Sequence, residues 1–165
     1  SARDADQLRN VWSHLDPADR RDAMVVAHAA RRMASLGAPA DARQWLAPLW
    51  DRLPEQSPEA VDALTQALGD SLIGLEAEWL PRLDACTQMA LRHPGLALVL
   101  GLALSERQLW GKARGMLMSA ANDQALDTER RRTAWAALGQ LAEREHRDDE
   151  AARFYRRAAL PGERD

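Results

Sequence analysis

Residues that build covalent or metal frameworks are almost missing from this chain. Cys86 is its single cysteine, so an internal disulfide and a cysteine-cluster metal site are excluded, while the redox compartment stays open. Lysine occurs once, at Lys112, among 22 basic residues, which leaves 21 arginines. A GC-rich coding sequence accounts for that bias more simply than selection for planar ion pairs. No apolar run approaches the roughly 20 residues that span a bilayer. The longest, Leu96 to Leu104, is interrupted by Gly101. Ser1 opens the chain without the basic and then apolar stretches of a signal peptide, so the chain reads as part of something larger. A formal net charge of −3 with 28% charged residues argues against a nucleic-acid surface and against an acidic tail.

What is present is helix-forming sequence. The 165 residues are 46% hydrophobic, enough for one domain with a real core. Alanine and leucine dominate and β-branched residues are scarce. Leu8, Val11, Trp12 and Leu15 fall at i, i+3, i+4, i+7, one face of a helix. Asp16-Pro17 and Ser57-Pro58 each supply a cap and a first-turn proline, and Gly37-Ala38-Pro39 is a stop followed by a turn. These signals predict helices over 3–15, 17–36, 39–53, 58–73, 76–92, 95–107, 110–121, 128–145 and 148–159, with no connection long enough to mark a domain break.

The helix pairs repeat. Trp135, Leu138 and Gly139, followed by Ala151, Tyr155, Ala158 and Pro161, fit the tetratricopeptide pattern, whose period is about 34 residues. A second unit has Ala97, Leu100 and Gly101, then Ala113, Leu117 and Ala120. A third has Val26, Ala29 and Ala30, then Ala42, Leu46, Leu49 and Pro54. A small residue at the crossing lets two helix backbones approach, and a bulky neighbour fills the adjoining gap. The expected fold is all-α, a right-handed α-solenoid of tetratricopeptide-like antiparallel helix pairs in a single domain over 1–165. It divides into an N-terminal helix (1–15), a repeat (17–54), a degenerate pair (58–92), a repeat (95–121) and a C-terminal repeat (128–160).

Between Ala77 and Leu160 the likeness is closer. Ala77-Glu78-Trp79-Leu80, His93-Pro94, Leu100-Gly101-Leu102-Ala103-Leu104, Gln108-Leu109-Trp110-Gly111-Lys112-Ala113-Arg114, Leu138-Gly139 and Ala151-Ala152-Arg153-Phe154-Tyr155-Arg156 together resemble the C-terminal tetratricopeptide region of bacterial HemY proteins. The Leu-Trp-Gly-Lys-Ala-Arg segment is the most specific part. The resemblance implies an inner-membrane protein linked to late porphyrin and haem metabolism. Its two N-terminal membrane helices would lie outside these residues, and two spans would leave this domain on the cytoplasmic side. It also implies partners among haem-biosynthesis enzymes at that membrane. The flavin-dependent oxidase that shares the name elsewhere needs a Gly-rich Rossmann turn, and no G-x-G-x-x-G occurs here.

A search for chemistry yields no catalytic set. Gly111-Lys112 ends like a phosphate-binding loop, but Glu106 stands where that motif needs Gly and Ala113 where it needs a hydroxyl for magnesium. His14, His28, His93 and His146 show no metal-ligand spacing. One of them as an axial haem ligand competes with the simpler reading of surface histidines. Met24, Met89, Met116 and Met118 read as gap-filling core rather than a soft binding face. Trp45 and Trp50, five residues apart, point to different faces, which leaves one of them for the surface. Arg130-Arg131-Arg132 opens the last repeat, where it would meet acidic lipid or an acidic partner, or else form a solvated helix start.

In tetratricopeptide domains the first helix of each pair lines a concave groove. By register that groove holds Ala27, Arg31 and Ser35, then Leu98, Leu102 and Glu106, then Ala136, Gln140 and Arg144. Ala27, Leu98 and Ala136 occupy places where a carboxylate clamp needs Lys and Asn, so a receptor for C-terminal carboxylates is not expected. The expected function is a non-catalytic protein-interaction scaffold that takes no cofactor or metal. Leu98 and Leu102 would be its buried anchor, and Arg31, Glu106 and Arg144 its steering charges. The alternative is a porphyrin- or haem-binding module using the same groove.

Overall fold

Where side chains cap the backbone and where apolar residues recur every three to four positions, helices form. The computed structural model describes residues 1–160 and contains no strand among them. Its ten α-helices are α1 (Ala2–Ser13), α2 (Ala23–Ser35), α3 (Pro39–Trp50), α4 (Pro58–Gly69), α5 (Leu80–Asp84), α6 (Thr87–Ala90), α7 (Pro94–Glu106), α8 (Trp110–Ala121), α9 (Thr128–Arg144) and α10 (Asp148–Ala159). They fall into two compact units, one over Ser1–Cys86 and one beginning at Thr87. Pro161, the expected closing proline of the last repeat, lies outside the described residues.

Three of the helix pairs are joined in the same way. Three residues separate α2 from α3, α7 from α8, and α9 from α10. The middle residue of each connection has positive φ: Gly37 (86°), Gln108 (61°) and His146 (59°). The next amide bonds back across the helix end, Ala38 N to Met33 O (3.1 Å), Leu109 N to Leu104 O (2.9 Å) and Arg147 N to Ala142 O (2.9 Å). This is a left-handed helix stop, and its repetition gives the pairs a common backbone signature. Two pairs also cross on glycine. A Cβ on Gly101 would lie 2.6 Å from Leu117 Cγ, and one on Gly139 would lie 2.7 Å from Tyr155 Cε1.

In the first unit, Asp22 caps α2 by accepting from Met24 N (2.9 Å) and Val25 N (3.1 Å). The expected start at Asp16-Pro17 is therefore corrected. Residues 16–21 are all exposed and form only a 3-10 turn at Asp19–Arg21, because no apolar face holds a helix there. The buried stripe begins at Ala23 and continues through Val26, Ala27, Ala30 and Met33. The helix expected over 76–92 is likewise broken. Pro81 in the first turn of α5 has no N–H for the carbonyl four residues back, so Ala77–Trp79 is a 3-10 turn. Both tryptophans of α3 are buried, which corrects the expectation that one is exposed. Trp45 stacks on Trp12 of α1 at 4.3 Å, and Trp50 meets the edge of Trp79 at 6.0 Å.

Arg43 is the unexpected member of this core, at 2% exposure. Its guanidinium donates to the carbonyls of Ser71, Ile73 (2.9 Å) and Gly74 (3.1 Å) and to the Glu76 carboxylate (2.9 Å). It stops α4 at Gly69, short of the expected residue 73, by giving the loop's carbonyls a donor. Gly74 adopts φ +76° within that clamp. Cys86 is buried, and burial pushes its thiol pKa up.

In the second unit α7 is buried on nearly every side, through Leu96, Ala97, Leu98, Val99, Leu100, Gly101, Ala103 and Leu104. Trp135 and Phe154 stack at 5.9 Å between α9 and α10, with Arg157 over one ring (4.3 Å) and Arg114 over the other (5.6 Å). The Arg130-Arg131-Arg132 run is engaged within the fold. Asp127 caps α9 and pairs with Arg130, Arg131 reaches Gln124 and Thr128, and Arg132 donates to Ala158 O (3.0 Å).

Candidate interaction groove

In the first unit a cleft of about 430 Å³ lies between α2 and α4. Each helix lends it one stripe at i, i+3, i+4, i+7: Met24, Ala27, His28 and Arg31 from α2, and Glu59, Asp62, Ala63 and Gln66 from α4. Those spacings put four side chains on one face of each helix. The two helices run in the same direction. Met24 and Glu59 belong to their first turns, while Arg31 near the end of α2 donates through Nε to Asp70, just past the end of α4, at 2.8 Å.

The floor is small and apolar, with Ala27 buried and Ala63 half-buried. Gln66 Nε2 donates to Asp62 at 2.9 Å and fixes that corner. Met24 is 57% exposed, which corrects its reading as core. It stands at the lip, where a flexible thioether adapts to what lies against it. His28 is exposed on the same face.

Of the residues expected to line a groove, Arg31 and Ala27 do so. Ser35, one turn further, is exposed and donates its hydroxyl to Arg32 O (2.6 Å), outside the cleft lining. Leu98 is corrected: at 4% exposure it belongs to the core, because α7 is covered on the face assigned to the groove. Leu102 is half-buried, and Glu106 and Gln140 are exposed. Arg144 is exposed with its guanidinium 4.7 Å above the Trp110 ring. Ala136 is half-buried.

Sequence reasoning missed Met24, His28, Glu59, Asp62 and Gln66 as partners in one site. The paired spacing on α2 and α4 was the available signal, but it reads as a site only once the two helices are known to be neighbours. No group of three or more His, Cys, Asp or Glu side chains that could hold a metal occurs among the described residues. No helix among them is long and apolar enough to cross a membrane. Compared with described protein families, with curated proteins and with solved structures, the chain matches none.

Proposed function

We propose that the chain is a non-catalytic protein-interaction scaffold of tetratricopeptide type, its helix pairs ordered as a right-handed solenoid, with the α2/α4 cleft as its docking surface. The observation that carries this is the pair of matched stripes on α2 and α4. They leave an open, mixed-polarity trough on the first helix of one pair and the first helix of the next. The shared three-residue connections support the repeat assignment. The HemY resemblance adds a setting: the soluble part of a membrane-anchored protein, cytoplasmic, meeting enzymes of late porphyrin and haem metabolism.

The porphyrin- or haem-binding alternative relied on Leu98 and Leu102 as an apolar groove lining, and the burial of Leu98 removes that support. Photocrosslinking in cells separates the readings. A photoreactive residue in place of Ala63 should capture partner proteins that the same group at exposed Gln44 does not. Equal capture at both places refutes the cleft as the docking surface. A haem titration of the chain should leave the Soret band of free haem unshifted, and a saturable shift would restore the alternative.

A further inference from the structure

The α2/α4 cleft holds one carboxylate, Glu59, that the fold leaves without a partner among the described residues. Arg31 is the one arginine in the lining, and its guanidinium is already engaged by Asp70 at 2.8 Å. Glu59 and Asp62 face it from α4, and Asp62 already accepts from Gln66 at 2.9 Å. Glu59 is exposed and lies one turn before half-buried Ala63 on α4, in the cleft that Met24 also lines. A carboxylate that the fold leaves unpaired beside apolar surface attracts a cation carried on an aliphatic stem.

The size sets the length of what fits. Each stripe runs from i to i+7, seven helical rises or about 10 Å at 1.5 Å each, the reach of roughly three residues of extended chain. We propose that this cleft docks an extended segment of a partner protein with a lysine or arginine directed at Glu59 and Asp62 and a neighbouring aliphatic side chain on Met24, Ala27 and Ala63. A phosphorylated or C-terminal carboxylate ligand would meet like charge there. The inference rests on the scaffold reading and supplies its partner chemistry.

The test is a titration of the isotope-labelled chain, followed by backbone amide shifts, with three end-blocked pentapeptides of alanine-leucine-X-leucine-alanine. X is lysine, its uncharged isostere norleucine, or glutamate. The lysine peptide should shift amides of α2 and α4 and bind about two- to fivefold more tightly than the norleucine peptide, as one exposed ion pair implies. That advantage should shrink with added salt. Glu59→Gln/Asp62→Asn should bring the lysine peptide to the norleucine level. Where the double variant's spectrum departs from the wild type, Glu59→Gln alone carries the comparison. Norleucine or glutamate peptides binding the cleft as tightly as the lysine peptide would overturn the cation preference and leave the scaffold reading standing. Shifts from no peptide at α2 and α4 would overturn the cleft as the site of this recognition, and capture at position 63 would then decide the scaffold reading by itself.

Discussion

Alanine substitution at three helical glycines measures how closely the helices of the second unit approach. Gly115 on α8 has nothing within 4 Å of where its Cβ would stand, so Gly115→Ala should stabilise by the propensity difference, about 1 kcal/mol. Gly101→Ala gains the same propensity, but its Cβ would sit 2.6 Å from Leu117 Cγ and 3.2 Å from Leu117 N. Leu117 is fully buried and its backbone cannot yield cheaply. An overpacking cost of roughly 1–3 kcal/mol then leaves a net loss of up to about 2 kcal/mol. Gly139→Ala meets only the Tyr155 ring, at 2.7 Å, a half-buried side chain that can yield where the Leu117 backbone cannot, at the expense of its hydrogen bond to Glu143. The two effects should nearly cancel there, whereas Gly139→Leu cannot be relieved that way and should destabilise. Urea unfolding followed by far-ultraviolet circular dichroism, with all variants at one pH and salt, gives the differences. If Gly101→Ala stabilises as much as Gly115→Ala, the α7 and α8 backbones are further apart than described, and the crossing argument fails.

Arg43→Met should cost about 1–3 kcal/mol by taking the donor from the carbonyl of buried Ser71, and should speed amide exchange over residues 71–76; a change under ~1 kcal/mol would refute the clamp. Arg43 beside Glu76 holds that carboxyl below the usual range, and Arg114 does the same to Glu150. A depressed folded pKa contributes stability above the unfolded value near ~4.3, which is lost as pH falls through the folded value. Acid titration of stability should therefore decline more gently below about pH 4.3 in Arg43→Met than in wild type, and an unchanged profile would refute the Glu76 contribution. Gln108→Gly and His146→Gly should each stabilise by about 1 kcal/mol by relieving positive φ, and Gly37→Ala should destabilise by a similar amount; thermal melts that move the other way would refute the turn assignment.

The sequence by itself determined that helices form, roughly where, and that they pack in neighbouring pairs. Those signals are local: Ser57 before Pro58, Gly37 before Pro39, and the small residues at Gly101 and Gly139 act within a few residues or one crossing. It did not disclose that Gln108 and His146 adopt the conformation of Gly37, since the three-residue connection imposes it on whatever residue stands there. Nor did it place Asp22 ahead of Asp16-Pro17, a choice made by which segment has a neighbour to bury against. Periodicity showed that α7 has apolar positions but not that its Leu98 face is covered. The tertiary structure alone decided the arginine in the core and the groove. Arg43 is neutralised by carbonyls and a carboxylate 28 to 33 residues away. The cleft exists because two stripes, each ordinary on its own helix, are brought side by side by the packing of α2 on α4. Helix formation depends on neighbours along the chain, whereas burial, charge balance and a shared cleft depend on neighbours in space, which a linear pattern does not contain.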